Sequence, residues 1–189
     1  MSDRIVGRLP LSDIFLRSLR VGDRVQLTGR LLVARDAAHR RMIETLRGGG
    51  GLPFDIAGQT IYYMGPTPPP PGRAVGAAGP TTSGRMDAYI VDLLDAGLVA
   101  TIGKGPRSPE VRKAMLERGA VYFVATGGAG ALLSRAIVAA RILAYADLGP
   151  EAVREIEVVD FPVIVANDTQ GGDVFEEGRR RFETAPGDA

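Results

Sequence analysis

The sequence contains no cysteine and a single histidine, His39. Without cysteine the chain has no disulfide and no thiolate nucleophile. Iron–sulfur clusters and structural zinc sites depend largely on cysteine thiolates, so this chain alone is predicted to hold neither of them. The missing cysteines also remove any indication of the redox compartment in which the protein works.

The chain also has little excess charge of either sign. It carries 23 lysines and arginines against 22 aspartates and glutamates, which gives a formal net charge of +1 at pH 7. Such a balance argues against broad electrostatic attraction to nucleic acid or to an anionic membrane, while a local cluster of cations remains compatible with it. We therefore expect neither nucleic acid nor membrane among the partners.

Long hydrophobic runs are absent as well. Residues 1–11 carry three charged side chains and lack the apolar core of a signal peptide. The most apolar stretch, residues 131–145, is interrupted by Arg135 and Arg141, which argues against a membrane span. The expected location is the cytoplasm.

The chain, residues 1–189, is predicted to form one domain whose two parts differ in character. Residues 1–78 are rich in turn signals and in β-type alternation, and strands are predicted over 24–28 and 60–64. A helix is predicted over 36–47, with Asp36 as its N-cap. This first part is therefore predicted to be β-rich.

Residues 79–182 are predicted to alternate between helix and strand, and the tail 183–189 is predicted to fray. A helix is expected with Met86, Ile90, Leu93 and Leu94 on one face and an end at Gly97. Further helices are expected from Ser108 to about Gly119 and from about 130 to 144, and strands over 98–102, 121–125, 156–158 and 162–165. This alternation predicts an α/β fold with a mostly parallel sheet covered by helices.

The most informative segment is Gly79-Pro80-Thr81-Thr82-Ser83-Gly84-Arg85-Met86-Asp87, which is called the glycine-rich motif below. Hydroxyls, a glycine and an arginine lie where a loop is predicted to become a helix. Helix N-termini offer free N–H groups to anions, and an arginine fork suits a carboxylate or phosphate. The segment is compatible with a pocket for an acidic small molecule and equally with a capped helix that carries one solvated arginine.

Three further loops have a similar character. Lys104 lies between two glycines after a predicted buried strand, residues 126–130 open a helix, and Arg35 precedes one. These spacings match neither a dinucleotide-binding fingerprint nor a phosphate-binding P-loop. Because ligands collect beyond the carboxyl ends of strands in α/β sheets, Arg35, Arg85 and Lys104 are expected to converge on one crevice, and three cations would suit a small dicarboxylate.

A catalytic base is harder to identify from these residues. The hydroxyls of Thr81 and Thr82 are too weakly acidic to act as bases unless a neighbouring cation favours their ionised form. By itself the chain therefore has the character of half an active site.

Seven segments in register resemble one known family. They are Gly22-Asp23, Ala34 to Arg41, Ile61 to Pro66, Gly79 to Asp87, Gly103-Lys104-Gly105, Gly127-Gly128 and Val158 to Pro162. Together they resemble the class I fumarase and L-tartrate dehydratase family, specifically its C-terminal domain or separate β subunit. The resemblance extends from about Leu9 to Phe175.

This resemblance implies a fold, a cofactor and a partner. The fold would be a swivelling β/β/α domain. A cysteine-bearing α subunit would hold a [4Fe–4S] cluster on three cysteines, whereas this chain alone would bind no metal. The two chains would assemble as an α₂β₂ heterotetramer that interconverts fumarate and L-malate.

The resemblance also assigns roles to individual residues. Arg35 and Arg85, with Lys104, would bind the substrate carboxylates and stabilise the charge that develops on proton loss. Thr81 would be the catalytic base, with Lys104 beside it as a second catalytic residue. Thr82 and Gly84 would shape the anion site, and the acid for the departing hydroxyl would come from the α subunit.

Alternatives to a fumarase subunit remain at this stage. L-Tartrate dehydratase and mesaconate hydratase belong to the same family, and one substrate methyl group is worth only about 1–3 kcal/mol in a pocket. A non-catalytic anion-binding module is an alternative of a different class. A lyase that needs no cofactor would require a further acid–base group, for which Asp36 and His39 are the candidates.

Overall fold

The computed structural model describes residues 4–183. The seven strands are β1 (Ile5–Arg8), β2 (Arg24–Val33), β3 (Thr60–Tyr62), β4 (Ala100–Gly103), β5 (Val121–Val124), β6 (Ile137–Ala144) and β7 (Val153–Asn167). The six α-helices are α1 (Asp13–Ser18), α2 (Asp36–Arg47), α3 (Asp87–Asp95), α4 (Pro109–Glu117), α5 (Gly130–Leu133) and α6 (Val174–Phe182). Short 3₁₀ segments lie at Ser83–Met86, Ser134–Ala136 and Ala146–Glu151. Residues 184–189, most of the tail that was predicted to fray, lie outside the described residues.

Five of the strands close into a ring. Strands β2, β3, β4 and β5 pair in that order and are parallel. Strand β7 then pairs antiparallel with both β5 and β2, which completes the ring. Strand β1 adds to β2, and β6 adds to the first half of β7. The predicted α/β fold class is confirmed, with the refinement that an antiparallel strand closes a parallel set.

The alternation of side chains along each strand builds two cores. On β2, Leu31 and Val33 belong to one buried cluster, and Leu32, between them, belongs to the other. The first cluster fills the ring, and the second lies between its outer face and helices α2, α3 and α4. Because successive side chains of a strand point to opposite faces, one short strand serves both cores.

Several elements begin and end where the sequence predicts. Helix α2 covers residues 36–47 as predicted. Helix α4 starts with Ser108 as N-cap, whose Oγ accepts from Val111 N at 3.3 Å, and Pro109 follows it. The helix after the glycine-rich motif is followed by Gly97 at φ +97°, a left-handed conformation that favours glycine.

The predicted helix over residues 130–144 is wrong in most of its length. Only Gly130–Leu133 is α-helical, and Ile137–Ala144 is strand β6. A run of alanine, valine, isoleucine and leucine suits either structure, so the sequence alone does not separate them. Strand β6 forms because β7 offers its backbone groups over Val153–Val158.

The two strands predicted over 156–158 and 162–165 are one continuous strand, β7. It bends at Asp160, whose φ is +51° and whose N–H donates to Thr28 Oγ1 at 3.0 Å. The register with β2 shifts at the same level, between Leu27 and Gly29. A bulge of this kind increases local twist, which helps the ring to close.

Candidate functional site

Backbone hydrogen bonds bring the glycine-rich motif together with the loop Gly103-Lys104-Gly105, beyond the ends of β3 and β4. Thr81 N donates to Tyr63 O at 2.7 Å, and Lys104 N donates to Thr81 O at 3.1 Å. Ser83 N donates to Lys104 O at 2.9 Å. The two candidate catalytic residues, Thr81 and Lys104, are therefore neighbours on adjacent backbone segments, as the order of the strands predicts.

The close approach of these segments depends on Gly103. A Cβ atom at this position would lie 3.0 Å from Tyr63 Cδ2 and 3.1 Å from Thr81 O. It would also overlap Ser83 Oγ. The absence of a side chain at residue 103 thus allows the motif to lie directly against the end of β4.

The loop over residues 126–130 lies at the same edge of the sheet, beyond the carboxyl ends of the parallel strands. Ala78 N donates to Gly130 O at 3.0 Å, which connects this loop to the residue just before the glycine-rich motif. A Cβ at Gly127 would lie 3.4 Å from Lys104 Cδ, so the lysine side chain extends toward the loop. Three of the loops selected from the sequence therefore meet.

Arg35 lies at the end of β2, where it is the N-cap residue of α2. Its guanidinium packs on Gly65, where a Cβ would lie 2.7 Å from Arg35 Cζ. Arg35 Nη2 lies 3.3 Å from Glu151 Oε1. The predicted cation is thus present beyond the strand ends, held between a glycine and a carboxylate that the sequence did not reveal.

Arg85 forms an ion pair with Asp36, the residue that follows Arg35. Its Nε donates to Asp36 Oδ1 at 2.9 Å, and its Nη2 lies 2.7 Å from Asp36 Oδ2. The prediction that Asp36 caps α2 is wrong, because Arg35 occupies the N-cap position and the Asp36 carboxylate turns to Arg85 instead. The Arg85 side chain nevertheless remains 55% exposed.

The remaining candidates differ in accessibility. Thr82, Gly84 and Lys104 are exposed, whereas Thr81 is only 8% exposed. Within residues 4–183, Lys104 has no carboxylate within ion-pair distance, in contrast to Arg35 and Arg85. Lys104 is consequently the cation most available to an external anion.

A buried arginine behind the loop was missed in the sequence. Arg107 is 4% exposed, and its Nη1 donates to the Tyr63 hydroxyl at 3.1 Å. Its Nε lies 2.8 Å from Asp87 Oδ1, although this contact lacks hydrogen-bond alignment. The guanidinium also lies 5.4 Å from the ring centre of Tyr63 and 5.3 Å from that of Tyr122. A Gly-Pro-Arg loop is usually exposed, so no pattern in the sequence indicated this burial.

Electrostatic partners keep this buried guanidinium charged. Burial alone would lower the pKa of Arg107, but Tyr63 and the Asp87 carboxylate outweigh that effect and raise it. The Tyr122 hydroxyl lies 2.7 Å from Gly105 O and 2.8 Å from Ser83 Oγ. Tyr122 thereby connects the glycine-rich motif to the loop that holds Lys104, and Arg107 lies against the Tyr122 ring on the buried side of both segments.

His39 lies in the same buried region and does not reach the crevice. Its ring is fully buried and meets Tyr63 edge to face, with ring centres 5.2 Å apart. Neither ring nitrogen has a hydrogen-bond partner. Burial lowers the pKa of His39 to about 4, so the imidazole is neutral at pH 7. These surroundings fit a structural histidine better than an acid–base group.

The donor atoms of this edge favour anions over cations. Between residues 4 and 183, no group of three histidine, cysteine, aspartate or glutamate side chains could hold a metal ion. The same residues include no helix that is long and apolar enough to cross a membrane. The edge instead offers one lysine, two arginines and a threonine hydroxyl, which can bind a carboxylate and stabilise developing negative charge.

Comparison with known proteins identifies close relatives. A family model described as "Fumarase C-terminus" matches residues 8–178. The chain is 43% identical over 160 residues to Fumarate hydratase 2 of Leishmania major, covering 83% of this chain and 28% of that protein. It is 40% identical over 172 residues to Fumarate hydratase class I, aerobic, of Escherichia coli, covering 89% of this chain and 31% of that protein. The chain thus spans less than a third of these relatives.

A further relative has nearly the same length. The chain is 37% identical over 172 residues to the Putative L(+)-tartrate dehydratase subunit beta of Methanocaldococcus jannaschii. The match covers 88% of each chain. The fumarate hydratases thus contain a similar segment as part of a longer chain, whereas in the subunit beta the similar segment makes up 88% of the chain.

Proposed function

This chain belongs to the fumarase C-terminus family, and we propose that it is the β chain of a hydro-lyase that interconverts fumarate and L-malate. The observation that supports the proposal is the approach of the two candidate backbone segments, in which Lys104 N donates to Thr81 O at 3.1 Å and Lys104 pairs with Thr82 in a parallel bridge. These segments bring a candidate base, Thr81, to the same edge of the sheet as Lys104, a cation with no internal carboxylate partner among the described residues. Such a pair suits removal of a proton next to a carboxylate.

The cations would act on the substrate carboxylates. Lys104 and the accessible nitrogens of Arg35 and Arg85 would bind the two carboxylates of a four-carbon dianion. Charge moves onto one carboxylate when the adjacent C–H bond breaks, and fixed cations stabilise that change because they need not reorganise. Asp36 and Glu151 orient the two guanidiniums and reduce their mutual repulsion.

Thr81 would move the proton. In the direction of dehydration, the deprotonated Thr81 Oγ1 would take the C3 proton of malate, and the C–H electrons would form the double bond as hydroxide leaves from C2. Lys104 would offset the negative charge of the threonine oxygen. In hydration the same oxygen would return the proton to C3. Thr82 and Gly84 would line the anion site at its exposed side.

The residues of this chain do not fit the ligand set of an iron–sulfur cluster, because the sequence contains no cysteine. The [4Fe–4S] cluster that the family resemblance implies would therefore be held by a cysteine-bearing α-type chain. Such a cluster supplies a Lewis acid for the hydroxyl group of the substrate. The acid that protonates the departing hydroxyl would also come from that chain.

The proposed assembly is an α₂β₂ heterotetramer in the cytoplasm. A separate partner chain is supported by the nearly full-length match to a protein named as a subunit beta, together with the small share of the fumarate hydratases that this chain covers. A partner chain would supply what the remainder of the longer proteins contains. The crevice at Thr81 and Lys104 would then lie between the two chains.

A second candidate function is L-tartrate dehydration. The relative of nearly equal length is named as a putative L(+)-tartrate dehydratase subunit beta. Tartrate carries the same two carboxylates and a second hydroxyl, so the cations would act on it in the same way. Mesaconate, or anion binding without turnover, would be indicated if neither fumarate nor tartrate reacts.

The proposal is tested by anaerobic turnover of L-malate, followed by fumarate absorbance, with this chain alone and with a reconstituted α-type partner. We expect activity only in the mixture. Lys104→Met in the assembled complex should lower kcat/KM by on the order of 100-fold, because it removes a cation that stabilises the transition state.

The matched control is Lys113→Met, which changes a lysine that is 77% exposed on α4. It should leave kcat/KM unchanged, and gel filtration should show that both variants assemble. Equal activities of the two variants would remove Lys104 from the site. An intact, cluster-loaded complex that turns over neither malate nor tartrate would overturn the fumarate hydratase and tartrate dehydratase assignments, and lack of turnover of mesaconate as well would overturn the hydro-lyase assignment.

A further inference from the structure

The connection between β6 and β7 is fastened to helix α2. Arg41 Nη1 and Nη2 donate to the two carboxylate oxygens of Asp147, each at 2.8 Å. The Arg41 guanidinium also lies 5.0 Å from the ring centre of Tyr145. These contacts place the segment Ala146–Glu151 beside the N-terminal half of α2, where Arg35 is the N-cap residue.

Glu151, the last residue of this segment, has two contacts at the start of α2. Its Oε2 accepts from Ala37 N at 2.7 Å, and its Oε1 lies 3.3 Å from Arg35 Nη2. Arg35 makes no side-chain cap hydrogen bond, so the carboxylate of Glu151, 114 positions after Ala37, serves one of the free N–H groups of the helix. The amide holds one carboxylate oxygen and thereby directs the other toward the guanidinium.

Gly65 also limits the position of the Arg35 guanidinium. A Cβ at Gly65 would lie 2.7 Å from both Cζ and Nε of Arg35 and 3.0 Å from Nη2. The Nε atom is buried there without a hydrogen-bond partner. With Nε against the glycine and Nη2 beside Glu151, Nη1 is the nitrogen left to an external carboxylate.

We propose that Glu151 is a positioning residue that sets the orientation of the Arg35 guanidinium. It acts through the half-buried ion pair, in which the two side chains are 25% and 28% exposed. The substrate part of this inference rests on the proposed function, in which Arg35 binds a substrate carboxylate. The connection between β6 and β7 has no catalytic groups of its own. Through Glu151 it would nevertheless set the orientation of Arg35, one of the three cations of the anion site.

The first test needs no catalysis. Phenylglyoxal modifies accessible arginines, and mass spectrometry of the full chain gives the rate at Arg35. Glu151→Gln keeps an oxygen that accepts from Ala37 N and removes the charge opposite Arg35. Because loss of a partly buried ion pair frees the guanidinium, the rate at Arg35 should rise by on the order of fivefold.

The matched control is Asp147→Asn, which removes one carboxylate charge from the same segment and keeps an oxygen that accepts from Arg41. Its partner is not a site cation. The rate at Arg35 should therefore stay at the wild-type value. An Arg35 rate in Glu151→Gln that equals the rate in the control would overturn the proposal.

The second test uses the assembled complex with its α-type partner. Glu151→Gln should raise KM for malate by on the order of fivefold with kcat within about twofold, because ground state and transition state lose the same carboxylate contact. Combining it with Arg35→Ala should add no further rise in KM, since both changes act on one contact. Asp147→Asn should leave both constants unchanged.

The two tests separate the inference from the function. A faster Arg35 reaction together with a raised KM supports both. A faster reaction with unchanged KM in an active complex overturns the role of Glu151 in substrate positioning. A wild-type complex that turns over no dicarboxylate overturns the proposed function, and the modification rate still decides whether Glu151 holds Arg35.

Discussion

His39 combines complete burial with two ring nitrogens that have no hydrogen-bond partner. The ring is surrounded by Tyr63, Tyr89 and the positive charge of Arg107, and burial is the largest cause of its lowered pKa. A proton on this ring would therefore be unfavourable in the folded protein. The unfolded chain has no such restriction, and its histidine titrates near the ordinary pKa of 6.5.

This difference predicts a pH-dependent stability. Between about pH 6.5 and pH 4 the unfolded chain binds a proton that the folded chain does not, so the free energy of unfolding falls as the pH falls through this window. From pH 7 to pH 4.5 the contribution of His39 to that loss should be about 2 kcal/mol. Urea unfolding at the two pH values, with wild type and His39→Gln, measures it.

The comparison between the two proteins isolates His39, because carboxylates titrate in both. The variant should lose less stability than the wild type over the same pH interval. If both lose the same amount, the histidine is not the group that senses the pH, and a neutral buried His39 would be excluded.

Two of the three site cations are already paired within the chain, Arg85 with Asp36 and Arg35 with Glu151. Carboxylate partners keep long side chains ordered before a ligand arrives, which lowers the entropy that binding must overcome. They also leave Lys104 as the cation without such a partner in residues 4–183. The site residues therefore divide into two oriented arginines and one exposed lysine.

At the scale of the elements, the site depends on how closely a loop can approach the end of a strand. Gly103 ends β4, and the glycine-rich motif lies directly on it. Gly103→Ala should push Ser83 and the Thr81 backbone away, which weakens the hydrogen bonds of both to Lys104. We expect a loss of about 1–3 kcal/mol in the free energy of unfolding, typical of overpacking.

Urea unfolding of Gly103→Ala measures this loss, and Gly51→Ala is its control. A Cβ at Gly51 would meet no neighbouring atom within 4 Å, and the residue has no positive φ, so alanine should be tolerated there. In the assembled complex Gly103→Ala should also lower kcat. Full stability and full turnover would show that the approach of the two segments does not need a glycine.

Element types were predictable where the sequence has local signals. Ser108 and Pro109 mark the start of α4, and the glycines after α2 mark its end. Strand β6 has no such signal. Its apolar run suits a helix and a strand equally, so the outcome depends on whether a neighbouring strand offers backbone groups for pairing. The free edge of β7 decided the outcome at Ile137–Ala144.

At the scale of the whole molecule, β7 holds the ring closed. Phe161 lies on this strand with no exposed surface, inside the ring, and its side chain meets Tyr62 with ring centres 5.2 Å apart. Phe161→Ala should cost about 3–5 kcal/mol in the free energy of unfolding, because it leaves a cavity among residues of β2, β3 and β7.

The control for this prediction is Val159→Ala, two residues earlier on the same strand, where the side chain is 45% exposed. It should change the free energy of unfolding by less than about 1 kcal/mol. Urea unfolding followed by far-UV circular dichroism measures both variants. Similar losses in the two would mean that the interior of the ring is not the main source of stability.

Local signals in the sequence were sufficient for the α/β class, the bounds of α2 and the start of α4, the family, and the loops from which the site is built. These features depend on local signals, such as caps, glycines, side-chain alternation and motif spacing, which act over a few residues. Arg35, Arg85, Thr81 and Lys104 were selectable because each lies at a junction between a loop and an element. Their roles in catalysis remain predictions.

The contacts between distant segments follow from the tertiary structure. It placed Glu151 beside Arg35, buried Arg107 between two tyrosines, turned Asp36 from a cap into the partner of Arg85, and made Ile137–Ala144 a strand. Each of these contacts depends on how distant segments of the chain pack around the ring. Such pairings follow from the packing of the whole molecule, because no local pattern in the sequence specifies a partner outside its own element, least of all one as distant as Glu151 is from Arg35.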